Sequence, residues 1–181
     1  MQLFDLDKIQ FTKYLFFTGK GGVGKTSTAC AAAVTLADHG EKVLLVSTDP
    51  ASNLQDVFRM ELTRKGTPIQ EVPGIPEFVK KLLPRLRNAD ETEVIIVTLA
   101  ETTPVFEAMR LEKDLERAEI AVKWWVINSS LYTTETRNWL LKAKASYEIE
   151  WINKVNDISK GEFAVINWSA DEIKGKKLLS I

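Results

Sequence analysis

Apolar residues recur along this chain in short, nearly unbroken runs, with longer stretches of helical spacing between them. The first run is Tyr14-Leu15-Phe16-Phe17-Thr18. A glycine-dense stretch follows, then an Ala- and Thr-rich segment over residues 26–39 that Gly40 closes as a helix stop. Val43-Leu44-Leu45-Val46 is the second run. Unbroken apolar runs suit strands buried on both faces of a parallel sheet. Residues 14–46 therefore predict a β-α-β unit with a right-handed crossover. Residues 93–99 predict another strand. Thr103-Pro104 then opens a helix to about residue 118, with Val105, Ala108, Met109, Leu111 and Leu115 on one broad face. A strand at 123–128, a helix at 133–155, a short strand at 163–166 and a closing helix at 172–180 complete the pattern. Alternating β and α without a hairpin signal predicts an α/β fold, a mostly parallel sheet flanked by helices. Residues 59–92 hold Pro68, Pro73, Pro76 and Pro84 and read as an irregular connection, with a short helix near 77–83. No internal repeat is visible, and residues 1–181 read as a single domain.

Composition narrows the function classes. The chain has 181 residues, enough for one domain with a substantial core. Its 24 Lys+Arg oppose 25 Asp+Glu, a net charge of −1, so no basic field argues for a nucleic-acid partner. A single cysteine, Cys30, excludes an intrachain disulfide framework and an intrachain metalloid-binding thiol cluster. The first residues lack the order of a signal peptide, and no apolar run reaches the roughly 18 residues of a membrane span. The expected location is cytoplasmic, with docking at a membrane left open. Trp124 and Trp125 are adjacent on a strand and so face opposite sides of the sheet. They read, with Trp139 and Trp151 on one helix, as packing residues rather than base-stacking ones. Cys30 reads as packing within the first helix. His39 reads as a cation at that helix's carboxyl end. Lys174, Lys176 and Lys177 read as a solvated face.

The sharpest chemistry lies in Gly19-Lys20-Gly21-Gly22-Val23-Gly24-Lys25-Thr26-Ser27. It satisfies G-x-x-x-x-G-K-[ST] between a strand and a helix, where that motif must lie to work. Glycines let several N–H groups point inward at phosphate oxygens, and the helix adds its positive end. Lys25 is placed to reach the β- and γ-phosphates, and the Thr26 hydroxyl to meet Mg²⁺. After the second run comes Ser47-Thr48-Asp49-Pro50-Ala51-Ser52-Asn53. A carboxylate at the carboxyl end of a parallel strand lies at the usual ligand crevice, so Asp49 could orient attacking water. An Asx-turn beside Pro50 is the competing reading.

Lys20, a second lysine inside the loop, gives G-K-G-G-x-G-K-[ST]. This form resembles the deviant Walker A class, in which the extra lysine reaches the nucleotide of a partner subunit. A homodimer is what that resemblance implies for Lys20; a solvated surface lysine is the alternative. The loop, taken with Val43 to Asn53, is similar to the arsenical pump-driving ATPase family, which includes the tail-anchored-protein targeting ATPases. The later segments Leu99-Ala100-Glu101-Thr102-Thr103-Pro104-Val105-Phe106-Glu107-Ala108, Leu115-Glu116-Arg117-Ala118 and Trp125-Val126-Ile127-Asn128 resemble the same family in the same order. The resemblance implies Mg-ATP as ligand, catalytic parts for Lys20, Lys25 and Asp49, a base-contacting Asn128, and a membrane or other protein partner. Asn128 as a strand-end turn residue is the competing reading. Residues 167–172 are further base-site candidates.

Two family features are missing between Asp49 and Ala100: a long helical insert and a second switch reading Asp-Thr-Ala-Pro-Thr-Gly-His-Thr. The switch would bring an aspartate near Mg²⁺ and the element that senses the γ-phosphate. Its absence implies a sheet short of one central strand, with a gap or an unpaired edge. Glu101 ends an apolar strand in the outline of a Walker B acid, but Leu99 and Ala100 intervene. Three readings stay open here: a working ATPase, a nucleotide-binding module or remnant without catalysis, and a Min/Par-like positioning ATPase.

Overall fold

The computed structural model describes residues 2–3, 12–47, 82–134 and 136–169. Among the described residues five strands form one sheet: β1 (Gln2–Leu3), β2 (Tyr14–Thr18), β3 (Thr92–Thr98), β4 (Val122–Ser130) and β5 (Phe163–Asn167). All pairings are parallel, in the order β1-β5-β4-β3-β2. The helices are α1 (Lys25–Asp38), α2 (Leu82–Arg87), α3 (Thr102–Arg117) and α4 (Trp139–Ile158). The α/β reading therefore holds.

Side-chain alternation divides the core into two layers. On one face Ile96, Trp125, Ile127, Phe163 and Val165 pack with Val105 and Ala108 of α3 and Ile152 and Val155 of α4. On the other, Ile95, Val97, Val126, Ala164 and Ile166 pack with Val23, and Trp124 is half-buried against them. The two tryptophans thus face opposite layers, as strand geometry demands. β3, which lies between β4 and β2, is buried along its whole length, which suits the apolar run Val94–Val97 within it.

Several local expectations need correction. Residues 43–46 are not a strand. Leu44 is 87% exposed and Val46 69% exposed, and this segment makes no sheet pairing. Among the described residues β2 pairs only with β3, so β2 is an edge strand and the β-α-β unit over 14–46 does not close. Strand propensity acts through cross-strand and face packing, so an apolar run without a neighbour stays irregular. A helix does lie near the expected 77–83, but as α2 (Leu82–Arg87), within the connection read as irregular.

α4 starts later than expected. Thr133 and Thr134 turn their hydroxyls back to the Ser130 carbonyl, at 3.4 and 3.0 Å. Asn138 instead caps the helix, its Oδ1 accepting from the N–H groups of Leu140 (2.9 Å) and Leu141 (3.3 Å). Trp139, read as a packing residue, is 78% exposed on this helix and stands outside the core. Trp151 does pack, edge-on to Phe106 with ring centroids 5.8 Å apart. The expected helix at 172–180 and the three lysines in it lie outside the described residues.

Glu93 on β3 is buried, and its Oε1 has no hydrogen-bond partner. Burial pushes its carboxyl pKa up, while the charge of Lys123 pulls the other way. A raised folded-state pKa means the folded chain holds this proton more tightly than the unfolded one. Its contribution is full below the ordinary carboxylate range and is lost as pH rises through the raised value. Glu93→Gln is therefore expected to stabilise the protein at neutral pH by about 1 kcal/mol and to flatten that decline. Urea unfolding midpoints of both proteins across acid and neutral pH check this; equal midpoints at pH 7 would refute it.

Candidate phosphate-binding site

The loop from Gly19 to Gly24 leaves the carboxyl end of β2 and enters α1. Its shape depends on two glycines. Gly19 has φ +147°, and a Cβ there would fall on the Val97 carbonyl oxygen, so the loop is seated directly on β3. Gly24 has φ +90°, and a Cβ there would fall on the Asn128 amide. Between them the buried Val23 side chain anchors the loop in the core.

Gly24 occupies the cap position of α1 and offers no capping side chain. The first turn of α1 also carries no acid. The leading N–H groups and the positive helix end are thus left for an anion, and Gly21 and Gly22 are exposed with open space where a Cβ would stand. The donor set suits phosphate oxygens. Thr26 is half-buried in that first turn, where a hydroxyl can serve a phosphate-bound Mg²⁺; Ser27 beside it is exposed.

The two lysines of the loop take different partners. The Lys25 ammonium donates to the Lys20 carbonyl at 2.7 Å. The Lys20 ammonium pairs with the Glu107 carboxylate of α3 at 2.8 Å. Asn128 also comes to the loop: its Nδ2 donates to the Val23 carbonyl at 3.0 Å, leaving Oδ1 to accept elsewhere. The β4–β5 register runs from Ile127↔Val165 to Ser130↔Asn167, so β4 carries an extra residue at Asn128–Ser129. Ser129 takes φ +55° there. This bulge accompanies the contact of Asn128 with the loop.

Of the residues read from sequence, the loop residues Gly19 to Ser27 and Asn128 converge. Asp49 lies outside the described residues. Glu101 is turned to Lys144 of α4, at 3.4 Å. Cys30 is buried, and burial pushes its thiol pKa up to about 11, which makes it a packing group rather than a reactive one.

Two residues escaped the sequence reading. One is Glu107, the partner of Lys20. The other is Glu148 of α4, buried beneath the turn after β4. It accepts from Ser130 Oγ (2.7 Å) and from the backbone N–H groups of Leu131 (3.2 Å) and Tyr132 (3.1 Å). A signal existed for Glu148: it shares the i, i+4, i+7 stripe of Ile152 and Val155, so a carboxylate occupied a core position. Glu107 gave no such signal, being one of several acids on α3.

A parallel α/β sheet with this loop between strand β2 and helix α1 defines a phosphate-loop NTPase-type domain. The family model described as anion-transporting ATPase matches residues 12–77 and 67–181, and the chain belongs to that family. Over 62 residues it is 60% identical to an arsenical pump-driving ATPase of Acidiphilium multivorum, covering 34% of this chain and 11% of that protein. Over 117 residues it is 36% identical to an ATPase ASNA1 homolog of Dictyostelium discoideum, covering 58% of this chain and 35% of the other. An ATPase GET3 of Mycosarcoma maydis is 51% identical over 57 residues, 32% of this chain and 17% of that one. The chain thus spans between 11% and 35% of the length of these three relatives.

Proposed function

We propose that this chain binds Mg-ATP in the loop Gly19 to Ser27 and hydrolyses it, working as a nucleotide-dependent homodimer on a membrane or other protein partner from the cytoplasmic side. The observation that carries this reading is the uncapped, acid-free amino end of α1 beneath an open glycine loop that carries two lysines, Lys25 folded back onto it and Lys20 paired with Glu107. The names of the relatives, all ATPases, support it. Backbone N–H groups and Lys25 hold the phosphates, Thr26 offers its hydroxyl to Mg²⁺, Lys20 acts on the partner subunit's nucleotide, Asp49 orients water, and Asn128 meets the base through its Oδ1. Mg²⁺ supplies neutralisation of the charge that builds on the phosphate oxygens. A nucleotide-binding module whose output is dimerisation is the second reading. The missing Asp-Thr-Ala-Pro-Thr-Gly-His-Thr switch favours it.

Calorimetric titration with Mg-ATP, run beside single-turnover phosphate release, separates these. Lys25→Ala removes a charge-assisted contact to phosphate and is expected to weaken binding by about tenfold to a hundredfold. Lys25-dependent phosphate release supports the enzyme. Binding without release supports the module. A chain whose wild type does not bind Mg-ATP overturns both.

A further inference from the structure

We propose that Glu107 is the resting counter-ion of Lys20: a positioning residue that holds the loop's second lysine within its own chain until a nucleoside triphosphate displaces it. The inference rests on the Mg-ATP reading above and deepens it, because it names what the second lysine does before nucleotide arrives.

The argument starts from charge. Two ammonium groups and the positive end of α1 share one short loop. Such a concentration of positive charge attracts whatever anion is in reach. Lys25 is oriented by the Lys20 carbonyl, a neutral acceptor. Lys20 reaches out of the loop to a carboxylate 87 residues along the chain. The pair is formed by tertiary structure alone. The loop rests on the Val97 carbonyl at the end of β3, and α3 begins just past that end, so the second turn of α3 overhangs the loop.

The partners fit a releasable contact. Their side chains are 40% and 39% exposed, so water screens the pair and leaving it is easy. An arriving triphosphate carries several negative charges to the same spot and outcompetes one carboxylate. Glu107 therefore lowers apparent nucleotide affinity, and it keeps Lys20 from acting until phosphate is present. α3 is tied at its start as well, through Glu101 to Lys144 of α4.

Two arms test this on the full 181-residue chain. The first holds no nucleotide. Brief acetylation with acetic anhydride, read by mass spectrometry, measures the reactivity of the Lys20 amine relative to exposed Lys154 of α4. Glu107→Gln is expected to raise the Lys20 rate about two- to fivefold, and Glu107→Asp to restore part of the protection. Equal Lys20 rates in wild type and Glu107→Gln overturn the proposal.

The second arm titrates Mg-ATP. Glu107→Gln is expected to bind two- to fivefold more tightly than wild type. The gain should shrink at high salt and vanish in the Lys20→Ala background. Weaker binding in Glu107→Gln, or an effect of equal size without Lys20, overturns it. If wild type binds no Mg-ATP, the nucleotide reading falls and the release step falls with it. The acetylation arm still reports the pairing itself, so the two failures are distinguishable.

Discussion

Gly19→Ala is expected to destabilise the protein by about 3 kcal/mol or more, a drop in unfolding midpoint of roughly 6–12 °C for a domain of this size. Two independent costs meet at this position. Its φ of +147° lies where L side chains rarely sit, and the added Cβ would fall on the Val97 carbonyl oxygen. That oxygen is backbone in the fully buried β3 and cannot swing aside as a side-chain tip would. Either β2 or β3 must shift, and the two strands share the ladder from Tyr14↔Thr92 to Thr18↔Ile96. Gly21→Ala is the matched control, since its Cβ would meet nothing within 4 Å. Thermal unfolding of both variants without nucleotide checks the point. A Gly19→Ala midpoint within 2 °C of the control would show that the loop is not seated on β3 as described.

Glu148→Ala is expected to cost a similar amount, about 3 kcal/mol, for a different reason. The carboxylate accepts three hydrogen bonds in the buried turn after β4. Its removal strands two backbone N–H groups and a hydroxyl, each costing about 1–3 kcal/mol if left without a partner, less whatever entering water recovers. Glu148→Gln should cost less. With its oxygen at the Oε2 position it keeps Ser130 and Tyr132 and opposes only the Leu131 N–H with its amide. Urea unfolding should therefore rank the proteins wild type, Gln, Ala. A loss below about 1 kcal/mol in Glu148→Ala would mean that the turn finds other acceptors. The same turn follows directly on Asn128 and Ser129, so Glu148→Ala should also loosen the hold of Asn128 on the Val23 carbonyl.

The sheet was legible in the sequence where a strand is buried on both faces. β3, β4 and β5 carry short apolar runs because α3 and α4 pack on one face and Val23 of the loop packs with the side chains of the other. The phosphate loop was legible because its chemistry is local: glycine conformations, a helix start and a lysine lie within nine consecutive residues. Val43 to Val46 looked like β3 in composition but not in fate. A strand needs a neighbour, and composition says nothing about whether one exists. The helix boundary at Asn138 was missed because Thr133, Thr134 and Asn138 are all good capping types. Only the position of the Ser130 carbonyl settles which of them turns away.

By itself, the sequence determined the family, the α/β alternation, the buried strands and the identity of the phosphate loop. The alternation, the strands and the loop follow from periodicity and from short contiguous motifs, and the family from the resemblance those motifs carry. Tertiary structure alone decided that β2 pairs with β3, that Asn128 braces Val23 across 105 residues, that Glu148 holds the turn after β4, and that Glu107 meets Lys20. The physical reason is one of range. A hydrogen bond or ion pair is specified by where two groups meet in space, and between distant segments that depends on the packing of every element between them.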